Sequence, residues 1–102
     1  MKNVNAKFRL LPPAKRELRD AARYYEDCVP DLGHDFLREV RETIQRIIQW
    51  PEAWQPLDAE IRRCRTHRFP YGIIYAVENG EVLVISVMHL HRHPDSWRKH
   101  LP

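Results

Sequence analysis

The sequence predicts an α+β domain in which an N-terminal helical hairpin packs on one face of a small, mainly antiparallel, twisted sheet. Three observations predict it: two stretches with the apolar spacing of amphipathic helices, a later change to strand-like alternation, and an Asn-Gly pair between two β-branched segments. The 102 residues suit one domain, 1–102, with a helical hairpin (about 13–50), a sheet half (about 61–93) and a tail (94–102).

The first element is a short predicted strand from Lys7 to Leu11, which Pro12-Pro13 closes. Proline suits the first turn of a helix, because its missing N–H has no partner there. A helix is therefore predicted next, with an apolar arc formed by Ala14, Leu18, Ala21, Ala22 and Tyr25.

The second helix has the stronger apolar stripe. Val29-Pro30 ends the first helix, and the Asp31 carboxylate is predicted to cap the second by accepting backbone N–H bonds. Pro51 stops this helix. The stripe consists of Phe36, Leu37, Val40, Ile44, Ile47, Ile48 and Trp50. The two helices are predicted to form an antiparallel hairpin.

Three further strands are predicted at Ile61–Thr66, Tyr71–Val77 and Val82–His89. Asn79-Gly80 is the pair favoured in a two-residue type I′ turn, which sets the register of the last two strands. The predicted partners are Val77/Val82, Ala76/Leu83, Tyr75/Val84, Ile74/Ile85, Ile73/Ser86, Gly72/Val87 and Tyr71/Met88.

Both faces of these last strands are apolar, whereas one helical hairpin can cover only one face. A partner protein or self-association is predicted to cover the second face, because soluble monomers seldom expose large apolar patches. The alternative is a shallow groove shielded by the long side chains of the arginine-rich strand.

Composition excludes several classes of protein. The longest apolar runs are four or five residues, too short to cross a bilayer, and residues 1–15 lack the apolar core of a signal peptide. A cytoplasmic protein with no membrane contact is therefore expected. Cys28 and Cys64 have neither disulfide nor zinc-site spacing, so they are interpreted as reduced packing residues, as are Trp50 and Trp54. No cofactor and no metal is expected.

The net charge of +3 is unevenly distributed. Residues 1–60 carry 10 basic and 11 acidic groups, whereas residues 61–102 carry 7 basic and 3 acidic groups and five of the six histidines. This distribution predicts that the C-terminal part meets an anionic partner.

A basic strand, Arg62-Arg63-Cys64-Arg65, continues to Arg68. On a strand, Arg63 and Arg65 point to one face and Arg62 to the other, so the first two could grip phosphates or a partner's carboxylates. Alternatively, these charges prevent aggregation of an edge strand.

Three alternating histidines, His89, His91 and His93, follow the last strand. Zinc binding is not expected, because no carboxylate or thiolate completes a ligand set. His89 alone could transfer protons near neutral pH, or could have no role. In the tail, Trp97 could stack on a base, but it is more readily interpreted as folding back over the end of the sheet.

Two longer runs carry a family resemblance. The first is Ala14…Glu17-Leu18…Ala21-Ala22…Tyr24-Tyr25-Glu26, followed by Pro30-Asp31-Leu32-Gly33…Phe36. The second is Ile61-Arg62-Arg63…Arg68-Phe69-Pro70-Tyr71-Gly72-Ile73-Ile74-Tyr75, followed by Val84-Ile85-Ser86-Val87-Met88-His89…Arg92…Pro94…Trp97. They resemble ParE/RelE-superfamily toxins of bacterial type II toxin–antitoxin systems, in the ParE-like, plasmid-stabilisation branch. The resemblance spans about residues 8–98 and implies a β-α-α-β-β-β fold.

The resemblance also implies partners. A cognate antitoxin would wrap the toxin with a flexible segment and neutralise it, and operator DNA would be met only through that antitoxin. ParE-like members poison DNA gyrase, whereas RelE-like members cut mRNA in the ribosomal A site. Gly72 stands where RelE-like members have an arginine, and Trp97 stands near the position of a catalytic tyrosine. These departures favour gyrase inhibition by binding, with no enzymatic activity.

The expected contact residues for the target or partner are Arg62, Arg63, Arg65, Arg68, Tyr71, Tyr75, Trp97 and Arg98. The alternative is a ribosome-dependent endoribonuclease, in which His89 transfers a proton while Arg63, Arg65 and Arg92 stabilise the phosphate. A third interpretation is an inactive homologue that only binds its antitoxin.

Overall fold

A computed structural model describes residues 7–101, so the ends of the predicted domain at residues 1–6 and 102 lie outside the described residues. The elements are β1 (Phe8–Leu10), α1 (Pro12–Cys28), α2 (Leu32–Gln49), β2 (Gln55–Pro56), β3 (Arg62–Arg65), β4 (Tyr71–Glu78), β5 (Glu81–His89) and a 3₁₀ helix (Ser96–His100). The predicted α+β class and element order are confirmed, and β2 is an addition to them. No helix in this part of the chain is long and apolar enough to cross a membrane.

The five strands form one mixed sheet in the order β1-β5-β4-β3-β2. β1 runs parallel to β5, and the remaining pairs are antiparallel. The helical hairpin covers one side, which we call the helix face; its buried strand residues include Cys64, Ile73, Tyr75, Val82, Val84 and Val87. We call the opposite side the tail face; its buried strand residues are Ile74, Ala76, Ile85 and Met88.

The tail face is covered by the chain itself, contrary to the prediction that a partner covers it. Trp97 from the 3₁₀ helix is 1% exposed and packs on this face together with Ile61, and Leu11 and Leu57 border the cluster. This result confirms the interpretation of Trp97 as a residue that folds back over the sheet. The sequence prediction failed because it placed Trp97 only over the end of the sheet and gave no covering role to the segment before β3.

The predicted register of β4 and β5 is correct only near the Asn79-Gly80 turn. Tyr75 pairs with Val84 as predicted, but Ile74 then pairs with Ser86, so Ile85 is an extra residue in β5. This bulge makes four predicted pairs wrong, and the observed pairs are Ile74/Ser86, Ile73/Val87, Gly72/Met88 and Tyr71/His89. A turn fixes the register only as far as the first irregularity, and a bulge shifts every pair beyond it.

Glu26, rather than Asp31, caps the second helix. Asp31 has a left-handed backbone (φ 72°) and its side chain makes no capping bond. The Glu26 carboxylate accepts the backbone N–H groups of Asp31 at 2.9 Å and Gly33 at 3.0 Å. These bonds, the one from Asp31 foremost, lower the pKa of Glu26. The predicted cap was wrong because a carboxylate from the preceding helix reaches the same donors.

Gly33, in the first turn of α2, packs against α1 with no room for a side chain. A Cβ at this position would lie 2.5 Å from the carbonyl oxygen of Ala22 and 2.9 Å from the Glu26 Cβ. We expect Gly33→Ala to lower the free energy of unfolding by about 1–3 kcal/mol, because a backbone oxygen cannot move aside cheaply. His34→Ala, at an exposed neighbour, is the control and should stay within about 0.5 kcal/mol. Urea unfolding of both variants measures this, and equal midpoints would contradict it.

Two residues predicted to be packing residues are exposed. Trp50 is 64% exposed, and Cys28 lies on the surface at the end of α1. Both stand at helix ends, where the chain turns away from the core. Trp54 packs against the helix-face core and Cys64 is buried, as predicted.

Candidate functional site

The arginines of β3 are divided between the two faces of the sheet. Directly opposed residues of an antiparallel pair share a face, and Arg63 pairs with Ile74 while Arg65 pairs with Gly72. Arg63 and Arg65 therefore belong to the tail face. Arg62 belongs to the helix face, where its guanidinium donates to the carbonyl oxygen of Trp54 at 2.8 Å.

Arg63 is held in place by its neighbours. Its side chain crosses Gly72, where an added Cβ would lie 2.8 Å from the Arg63 Cδ. Its guanidinium donates to the Gln55 side-chain oxygen at 2.7 Å. Burial, and next the charge of Arg65, lower the pKa of this guanidinium. Because Gly72 has no side chain, the Arg63 side chain fits across it, with its positive charge near that of Arg65.

The predicted edge strand is protected along half its length. β2 pairs with Arg62 and Arg63, which leaves the outer edge of Cys64 and Arg65 without a strand neighbour in the described chain. Arg65 is exposed on this edge. An exposed charge at this position is compatible with both predicted roles, protection of the strand edge and contact with an anionic partner.

Arg68 extends the basic surface beyond the end of β3. Its backbone N–H donates to the Glu39 carboxylate, and its guanidinium lies 3.5 Å from an Asp35 oxygen. The guanidinium also lies over the Phe69 ring, 5.0 Å from the ring centroid. Its side chain remains 59% exposed, so it is positioned while still able to meet an anion.

His89 lies on the helix face, beside Tyr71. The two residues are directly opposed, and their rings make an edge contact with centroids 5.0 Å apart. Burial, followed by the charges of His91 and Arg92, lowers the pKa of His89, and burial raises the pKa of Tyr71. The His89 Nδ1 accepts the backbone N–H of His91 at 3.1 Å, a contact that needs the neutral imidazole and agrees with the lowered pKa.

The proposed nuclease residues are consequently divided. Arg92 lines an open pocket with Tyr71 and Tyr24 beside α1, on the same side as His89. Arg63 and Arg65 lie on the opposite face of the sheet. A phosphate bound between these two arginines would have the sheet between it and the imidazole.

Two predicted contact residues are buried. Tyr75 is 1% exposed, and its hydroxyl donates to the carbonyl oxygen of Pro51. Burial raises the pKa of Tyr75 to about 12. Trp97 is equally buried, whereas Arg98 beside it is half-exposed, with its guanidinium 4.4 Å from the indole centroid. Of the predicted contact residues Tyr75, Trp97 and Arg98, therefore, Arg98 is the one whose side chain is accessible to a partner.

One group of metal-ligand types occurs in the described residues. Glu26, Asp31 and His34 bring ligand atoms within 4.8 Å of one another at the turn between the helices. Asp31 and His34 are exposed, and the Glu26 carboxylate already accepts two backbone N–H groups. Capping of the helix accounts for this cluster without an ion.

Comparisons with known proteins agree with this fold. The family model described as "ParE toxin of type II toxin-antitoxin system, parDE" matches residues 8–94. A solved structure described as "Chromosomal ParDE TA system from P. aeruginosa" aligns with a TM-score of 0.74 at 14% identity, covering 84% of this chain and 97% of that chain. A search of curated proteins found no significant match.

Proposed function

The chain belongs to the ParE toxin family of type II toxin–antitoxin systems, and on this basis we propose that it inhibits DNA gyrase in the cytoplasm by binding, without catalysing a reaction of its own. It is the toxin component of such a system, and its family implies an antitoxin partner. The active unit is the single domain formed by the helical hairpin, the sheet and the tail.

The observation that supports binding over RNA cleavage is the division of the cations from the histidine. Cleavage by a ribose 2′-hydroxyl needs a proton acceptor and positive charge at the same phosphate. Here the imidazole of His89 and the guanidiniums of Arg63 and Arg65 belong to opposite faces. Recognition of a protein surface needs no such convergence.

The proposed contact residues are the three exposed arginines Arg65, Arg68 and Arg98, which we call the basic rim. Each guanidinium is oriented by neighbours or by the strand, and each keeps a large exposed fraction. Charges on the rim of an interface steer association with a partner of opposite sign and fix its orientation. An acidic patch on gyrase fits these cations.

One observation favours the second candidate, a ribosome-dependent endoribonuclease. His89 lies beside Tyr71, and Arg92 is close enough for its charge to lower the pKa of His89. A proton acceptor and a cation are therefore available on the helix face. In this mechanism Arg92 would stabilise the phosphate without help from Arg63 and Arg65.

Two assays of the purified protein separate these functions. In the first, the protein is added to gyrase with relaxed plasmid; in the second, it is added to programmed ribosomes with end-labelled mRNA. Loss of supercoiling without mRNA cuts is the expected result. Codon-spaced mRNA cuts without an effect on supercoiling would show that the protein is a nuclease and not a gyrase inhibitor. If a folded preparation has neither effect, both functions are overturned and the inactive homologue is left.

A further inference from the structure

The C-terminal segment, residues 93–101, is attached to the rest of the described chain through side chains. The backbone N–H groups of Asp95, Ser96, Arg98 and Leu101 all donate to acceptors inside the segment. The buried indole of Trp97 holds its middle to the tail face. The segment can therefore leave the sheet without breaking a backbone hydrogen bond with it, which is the property of a locally opening unit.

Two polar contacts, both made by residues that follow Trp97, hold this segment to the rest of the domain. In the first, the Arg98 guanidinium lies 3.3 Å from an Asp58 oxygen in the segment before β3. In the second, the His100 Nε2 lies 3.1 Å from the Glu17 Oε2 of α1. The His100 side chain is only 9% exposed, so this second contact is far better shielded from solvent than the half-exposed Arg98 contact.

Glu17 has a further role at the bulge in β5. β1 pairs with β5 only as far as Val84, so the edge of β5 beyond it has no partner strand in the described chain. The Glu17 Oε1 accepts the Ser86 hydroxyl at 2.8 Å and the Val87 N–H at 2.9 Å. One carboxylate thus fixes the bulge with one oxygen and the C-terminal segment with the other.

We propose that residues 93–101 form a strap, that the Glu17–His100 contact is its latch, and that breaking the latch opens the tail face while the rest of the domain stays folded. Opening uncovers the apolar surface formed by Ile74, Ala76, Ile85 and Met88. The closed strap hides this surface in the free protein. Although Arg98 of the proposed contact surface lies on the strap, the Glu17–His100 latch uses none of the proposed contact residues.

Hydrogen–deuterium exchange of the full chain tests this proposal. His100→Ala removes the strap's half of the latch and leaves the Glu17 bonds to Ser86 and Val87 in place. We expect exchange of the strap amides to accelerate on the order of tenfold or more, as for loss of a hydrogen bond to a charged group, while exchange in β4 is unchanged. An apolar dye should bind His100→Ala more strongly than the wild type.

Two further variants complete the test. Lys99→Ala, at an exposed neighbour on the same 3₁₀ turn, is the matched control and should leave strap exchange unchanged. His100→Gln can still donate to Glu17 and should restore most of the protection. Unchanged strap exchange in His100→Ala would overturn the latch, and equal acceleration in the strap and in β4 would show that the strap opens only when the domain unfolds.

Discussion

Replacing Phe36 by alanine should lower the free energy of unfolding by about 3–5 kcal/mol, the range for deleting a fully buried aromatic ring. Phe36 is 0% exposed and stands at the centre of an aromatic cluster on the helix face. Its ring centroid lies 5.2 Å from those of Tyr25 and Phe69 and 4.9 Å from that of Tyr71. The cluster joins both helices to the start of β4, so its loss weakens three elements together.

This loss is a large part of the stability of a small domain, which is typically about 5–15 kcal/mol in total. Guanidinium unfolding followed by circular dichroism gives the value. Leu37→Ala, at the adjacent residue with 38% exposure, is the control and should cost less than half as much. A Phe36→Ala variant as stable as Leu37→Ala would contradict the central role of the cluster.

The helices could be predicted because their signals are local. The apolar stripe that contains Phe36 and Val40 has the helical period, and proline marks both the start of α1 and the end of α2. The three longer strands, β3, β4 and β5, followed from alternation in the same way, whereas β2 was not predicted. These patterns do not show which residues pack on each face of the sheet. Trp97 could therefore be assigned to packing, but the prediction missed that the chain itself covers the tail face.

The bulge at Ile85 explains most of the error in the site. In the predicted register Tyr71 opposed Met88, whereas the extra residue brings His89 beside Tyr71. Bulges depend on contacts from outside the strand, and here the stabilising contact comes from Glu17 on α1. Glu17 lies three residues after Ala14 and four before Ala21, so its helical spacing placed a carboxylate next to the packed side of α1. That was the one signal in the sequence for its role.

The positions of the β3 arginines could be predicted only in part. Alternation correctly separated Arg63 and Arg65 from Arg62. No local feature set the register of β3 against β4, so the side on which the histidine lay relative to the arginine pair could not be predicted. The crossing of the Arg63 side chain over Gly72 was equally inaccessible, because it depends on a neighbouring strand.

Reversing the charge of Arg65 is expected to raise the protein concentration needed for half-inhibition of gyrase by roughly 30-fold or more, the size of effect expected for an interface hot spot. Arg65→Glu places a carboxylate at the end of β3, where a cation is proposed to contact an acidic patch on gyrase. Like charges across an interface repel, which slows association and disturbs the orientation of the partners. Because the side chain is exposed, the fold should be unaffected, and circular dichroism verifies this.

The matched variants test the two faces of the sheet separately. Arg16→Glu makes the same charge change on the exposed side of α1 and should leave inhibition within about twofold, as expected for a surface residue outside the contact. His89→Ala should also leave gyrase inhibition unchanged, because the imidazole that it removes lies on the helix face beside Tyr71, away from Arg65.

The nuclease alternative predicts the reverse pattern, in which His89→Ala removes mRNA cleavage and Arg65→Glu has little effect. Supercoiling and ribosome assays on the wild type and these three variants distinguish the two patterns. Loss of toxicity in His89→Ala with full toxicity in Arg65→Glu would place the active surface beside α1 and overturn the role proposed for the basic rim.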